Sequence, residues 1–205
     1  VILVDLRNHG HSDWDDEFSY EIMADDVKEL YDELGLSELI LVGHSMGGKV
    51  AINFAQKYED DLEKLVVVDI GTKEYPMHHD HILKGIHSVK LEGVGSRKEA
   101  EVQMSEHIDS NGIKQFLLKN LYWKEKGQLA WRMNVAVLEK EMPHILSQLP
   151  FDEVMLPTLF IRGELSNYIL EEDIKDLENQ YPDSEVKTIS GAGHWVHAEA
   201  PGDFS

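Results

Sequence analysis

Residues 39–50 read LILVGHSMGGKV: an apolar β-branched run that stops at Gly43, a serine at Ser45, and two more glycines, Gly47 and Gly48, before the apolar pattern resumes. A serine hydroxyl is a poor nucleophile at neutral pH, so chemistry at Ser45 needs a base within hydrogen-bond reach and donors for the oxyanion that attack creates. The spacing Gly43-x-Ser45-x-Gly47 between a strand and a helix supplies part of this. A tight, strained bend lifts Ser45 above the sheet, and side chains at Gly43 or Gly47 are expected to collide with neighbouring backbone. The backbone N–H of Met46, at the helix start, then faces the oxyanion. A serine that merely capped the helix would not need this glycine spacing.

The base is expected late in the chain, on a loop after a strand, where this kind of sheet presents its reactive loops. His194 in GAGHWVHAE meets that requirement, and the small residues before it allow close packing; His197 is the competitor but lies past the turn, near a helix start. The orienting acid is less obvious. The loop FIRGELSNYI carries Ser166 where an aspartate is expected, Glu164 directly follows the strand glycine, and Asp173 already falls in a helix. Asp69, at the end of LVVVDIG, is the first choice because a carboxylate at that strand end can reach the histidine from the neighbouring strand. Glu164 is the second, and the chain order remains Ser, Asp, His.

The elements that must hold these groups follow from periodicity. A strand is expected at Val1–Asp5, followed by the turn-rich loop LRNHGHSDW. A helix over Tyr20–Leu34 is stopped by Gly35, and a strand at Leu39–Val42 leads into a helix over Met46–Tyr58 and a third strand at Leu65–Val68. Alternation of strand and helix predicts an α/β fold with a mostly parallel sheet. Between Gly71 and Pro150 the periodicity is helical, roughly over 79–90, 98–108, 113–121 and 136–149, with no convincing strand. Sheet rhythm returns with LPTLFIRG at 156–163, a helix near 172–180 and a strand at 185–189. The expected organisation is an α/β core over 1–71 and 151–205, interrupted by a helical cap over 72–150.

Composition narrows the function classes. With 205 residues and 42% hydrophobic content, the chain suits one domain with an inserted subdomain. Its formal charge of −20, from 19 basic and 39 acidic residues, opposes nucleic-acid phosphates and anionic membrane surfaces. The sequence has no cysteine, which excludes thiolate nucleophiles and cysteine-zinc sites and suits a cytoplasmic setting. No apolar stretch is long enough to span a bilayer. The histidine run His78–His81 has adjacent residues pointing in different directions and no evident distant partner, so no metal and no other cofactor is expected.

The stretches DLRNHGHS, VGHSMGGK, VVVDIG followed by EYP, FLLKNL, WRMN, RGELSNYI and GAGHWVHAEAP are spread over nearly the whole chain. In them the sequence resembles the α/β-hydrolases, and more narrowly the small YbfF-type bacterial esterases and their mitochondrial animal relatives. The resemblance implies a Ser-Asp-His hydrolase of esters or thioesters with its acid at the Asp69 position. In that family, strands and a His-Gly loop with a second oxyanion N–H precede the segment that opens this chain at Val1. The expectation is therefore a piece of a longer enzyme, impaired as it stands.

The helical insertion is placed to act as a lid. Tyr75, Trp131 and Trp195 are candidates for an acyl pocket, with His44, next to the nucleophile, as a further substrate-pocket residue and Arg132 or Asn134 orienting a polar head group; the alternative for Trp131 and Arg132 is a packing tryptophan and a solvated arginine. The expected substrate is a small-molecule ester or acyl-CoA, with no prediction of oligomeric state. A second reading is a catalytically silent ligand-binding protein of the same fold.

Overall fold

A computed structural model describes residues 1–77 and 80–205. His78 and His79, half of the histidine run, lie outside the described residues. The chain divides into two compact units: Val1–Phe18 with Pro76–Pro143, and Ser19–Tyr75 with His144–Ser205.

The second unit holds a four-stranded parallel sheet in the order β1-β2-β5-β6, with β1 at Leu39–His44, β2 at Leu62–Val68, β5 at Thr158–Gly163 and β6 at Ser184–Ile189. Parallel neighbours require crossover connections. Helix α2 (Met46–Tyr58) links β1 to β2, and α8 (Ile174–Gln180) lies between β5 and β6. Helix α1 (Tyr20–Glu33) starts at Ser19, whose hydroxyl accepts from the Ile22 N–H, and it packs on α2. The apolar residues at helical spacing in α1 and α2 bury Met23, Ala24, Val27, Val50, Ala51 and Phe54, while Leu65, Val67 and Phe160 of the central strands are fully buried.

The first unit contains helices α3 (Asp80–Ser88), α4 (Arg97–Met104), α5 (Asn111–Lys119) and α6 (Val135–Lys140); α7 (Met142–Leu146) follows at its end. The sequence reading of this segment as purely helical needs correction. Leu121–Glu125 (β3) and Gln128–Trp131 (β4) form an antiparallel hairpin with Leu121 opposite Trp131. Gly127, at φ +81°, makes the reversal that an L-residue resists. A core of Ile86, Met104, Ile108, Leu121, Leu129 and Trp131 binds helices and hairpin together.

A second correction concerns the start of the chain. Residues 1–6 belong to no strand, and Val1, Ile2, Leu3 and Val4 are exposed. An extended segment becomes a strand only by pairing its backbone groups, and among the described residues none pairs with it. The following loop is better anchored: Asn8, fully buried at φ 65°, receives the Asp15 N–H and the Asn134 amide on its side-chain oxygen.

Candidate active site

The bend between β1 and α2 holds Ser45 at φ 54° and ψ −124°, a left-handed conformation costly for a residue with a Cβ. Its carbonyl accepts from the Gly48 and Lys49 N–H groups, and its own N–H donates to Val68 O at 3.0 Å, so the bend is pinned to the end of β2. The reason for the glycines differs from the expectation. A Cβ at Gly43 would overlap the backbone of Gly47, as predicted, but a Cβ built at Gly47 meets nothing within 4 Å. Gly48 carries the second close approach, where a Cβ would drive into Ile70. Met46 opens α2, and the first N–H groups of a helix lack acceptors within it.

His194 lies on the loop after β6. That loop packs through Ala192 and Val196 onto Val68, Ile161 and Ile189 of the sheet. Gly163, at the end of β5, lets it approach: a Cβ there would overlap the Gly193 carbonyl. On either side of His194, the N–H groups of Gly193 and Trp195 donate to Glu199 at 2.6 and 3.3 Å. The His194 imidazole reaches Ser45 Oγ with Nε2 at 3.0 Å and Asp69 Oδ2 with Nδ1 at 2.8 Å. A carboxylate only accepts, so Nδ1 carries the proton and Nε2 presents its lone pair to the serine hydroxyl. The Tyr168 ring stacks on this imidazole, with centroids 4.0 Å apart and planes at 20°.

Asp69 ends the β2 segment at φ 51° with no solvent exposure. Its Oδ1 accepts from the Gly163 N–H at 3.0 Å, and its Oδ2 accepts from the Ser166 hydroxyl as well as from His194. A buried carboxylate is tolerated only with such a full set of donors. Ser166, which in the sequence stands out only as the wrong residue for the acid, is thus a partner of the carboxylate, and the displaced acid is the signal for it. Glu164 faces elsewhere, accepting from Ser190 Oγ and the Gly191 N–H at 2.7 Å each, and these bonds lower its pKa. Asp173 pairs with Lys73. His197 sets its ring against His44, centroids 5.0 Å apart.

The other predicted residues are spread out. His44 directs Nε2 to the His194 carbonyl at 2.7 Å. Trp195 places its ring 5.7 Å from that of His194. Tyr75 is buried, its hydroxyl accepting from the Gly71 N–H at 2.8 Å and donating to Tyr168 O at 3.0 Å, and burial raises its pKa. Within the first unit, Trp131 belongs to the apolar core, Arg132 lies over the Tyr122 ring at 4.5 Å beside His11, and Asn134 caps α6 and bonds to Asn8. Trp131 and Asn134 therefore have packing and capping contacts of their own.

Residues 1–93 match the family model described as the alpha/beta hydrolase fold. The chain is 38% identical over 202 residues to the esterase YbfF of Escherichia coli, covering 98% of this chain and 78% of that protein. It is 37% identical over 215 residues to the mouse protein named sn-1-specific diacylglycerol lipase ABHD11, covering all of this chain and 68% of that one. A solved marine microorganism esterase superposes with a TM-score of 0.93 at 39% identity, over 98% of this chain and 80% of its own. With this fold, this sheet order and these relatives, the chain belongs to the α/β-hydrolase family.

Proposed function

We propose that this protein is a serine hydrolase that cleaves carboxylic esters, or the closely related acyl thioesters, through an acyl-enzyme on Ser45. The observation that carries this reading is the unbroken hydrogen-bonded line from Ser45 Oγ through the His194 imidazole to Asp69. His194 Nε2 takes the hydroxyl proton as Ser45 Oγ attacks the carbonyl carbon, and the developing oxyanion faces the Met46 N–H. The imidazolium then passes its proton to the departing alkoxide or thiolate, leaving an acyl ester on Ser45. Water entering that site loses a proton to the same nitrogen and attacks the acyl carbon; the imidazolium then returns a proton to Ser45 Oγ as the acyl–oxygen bond breaks, releasing the acid and the free serine. Asp69, held by Ser166 and Gly163, fixes the ring tautomer and balances the transient positive charge. Trp195, whose ring lies 5.7 Å from that of His194, is an acyl-pocket candidate beside the reacting groups in this reading. The relatives named esterase and lipase support the ester class.

A fluorophosphonate probe tests the proposal. The expected result is covalent labelling that maps to Ser45 and disappears in Ser45→Ala, with hydrolysis of p-nitrophenyl butyrate falling on the order of 10⁴-fold or more. Labelling that persists in the variant would overturn the assignment. A wild-type chain that is neither labelled nor active would favour the ligand-binding alternative.

A further inference from the structure

We infer that His44 is a positioning residue: its side chain, anchored one residue before the nucleophile, ties the backbone of the base to the strand end that carries Ser45. His44 is the last residue of β1, and its Nε2 lies 2.7 Å from the carbonyl oxygen of His194. A carbonyl oxygen accepts only, so Nε2 carries a proton and donates it. One hydrogen bond therefore spans from the residue preceding the nucleophile to the peptide of the base itself. Glu199 already holds the N–H groups of Gly193 and Trp195, so the bond from His44 holds a third backbone group around His194. The His44 ring also packs against those of His194 at 4.7 Å, Trp195 at 5.4 Å and His197 at 5.0 Å.

The protonation state of His44 suits this task. Burial, and then the neighbouring His194, push its pKa down to about 4, so the ring is neutral at neutral pH. It donates a hydrogen bond without placing a second cation beside the imidazolium that forms on His194 during turnover. Because a misplacement of about 1 Å in a reacting group can cost about a hundredfold in rate, the benefit should appear in kcat rather than in substrate affinity.

This inference rests on the hydrolase reading, and the experiment separates the two. Steady-state kinetics on p-nitrophenyl butyrate and the rate of fluorophosphonate labelling of Ser45 are measured for the full chain and for three variants. His44→Phe keeps a ring but removes the donor; kcat and labelling rate should fall about 10- to 100-fold with KM changed less than about twofold. His44→Gln returns an N–H near the position of Nε2 and should recover to within about fivefold of wild type. Should the phenylalanine variant fail to fold, His44→Asn takes its place, since its shorter amide falls short of the carbonyl and should behave as the donorless variant. Unchanged kcat in the donorless variant, a rise in KM alone, or glutamine no better than the donorless variant would each overturn the positioning role. Absence of labelling in the wild type would instead remove the hydrolase reading.

Discussion

Among the described residues the carboxylate of Asp69 has three donors from two chain segments: the Gly163 N–H and the Ser166 hydroxyl of the turn after β5, and His194 Nδ1 of the loop after β6. Hydrogen bonds to a charged acceptor are worth about 1.5–3 kcal/mol, more than those between neutral groups. Removing the Ser166 hydroxyl leaves the carboxylate with one fewer donor and frees it to turn away from the imidazole. Ser166→Ala should therefore lower kcat by about 10- to 100-fold with little change in KM, whereas Glu164→Gln should leave kcat within about threefold. Steady-state kinetics of both variants on one ester check this, and equal losses would argue against the different placements of the two side chains. In the sequence both Asp69 and Glu164 follow strand ends, so spacing alone keeps both as candidates for the acid. The structure sends one to His194 and the other to the Ser190–Gly191 turn.

At the scale of elements, local spacing was enough wherever the partner of a segment lies close in sequence. The run from Leu39 to Tyr58 reads as strand, bend and helix because a short apolar β-branched run gives way, around three glycines, to apolar residues at period 3.6. Which glycine matters for which contact was not local. Gly48 is needed because Ile70, beyond the end of β2, lies against α2, and no pattern within residues 39–50 contains that contact. The hairpin at 121–131 escaped for a related reason: two short strands have little periodicity, and Leu121 and Trp131 become strand residues by pairing with each other. The junction between β5 and the His194 loop makes an element-scale prediction. Gly163→Ala puts a methyl group against the Gly193 carbonyl, so either strand or loop must shift. The expected outcome is a kcat loss of about a hundredfold with a stability loss of about 1–3 kcal/mol, read by kinetics and urea unfolding. A variant with full activity would show that the loop tolerates the displacement.

For the molecule as a whole, Lys49 carries a cost that the sequence did not announce. It is almost fully buried on α2, donates to the backbone oxygens of Lys73 and Ser147, and lies over the Tyr20 and Tyr75 rings at 5.7 and 5.0 Å. Through it, two segments 74 positions apart are fastened to one helix, beside the Tyr75–Leu146 and Leu149–Thr72 backbone bonds. Burial lowers its pKa from 10.5 to about 8. The unfolded chain therefore holds this proton to higher pH than the native one, and stability gains from this group as pH rises from about 8 toward 10.5. Buried Tyr20 and Tyr75, whose pKa values are raised, act in the opposite direction only once free tyrosine ionises, near pH 10. Urea unfolding at pH 7.5 and 9.5 should thus show wild type gaining on the order of 1 kcal/mol relative to Lys49→Met. An unchanged difference between the two proteins at the two pH values would contradict the buried charge.

The sequence by itself determined the alternation of strand and helix, the bend at Ser45, and the placing of a histidine after the last strand. These follow from spacing and backbone chemistry within a dozen residues, and they are legible without knowing what lies opposite. Tertiary structure alone decided which carboxylate meets His194, that Ser166 bonds to that carboxylate, that His44 points at a backbone carbonyl, and that Val1–Asp5 is not a strand. A strand needs a partner for its amides, and a buried polar side chain turns toward whichever donor or acceptor a distant segment brings within 3 Å or so, so these outcomes depend on contacts between parts of the chain far apart in sequence.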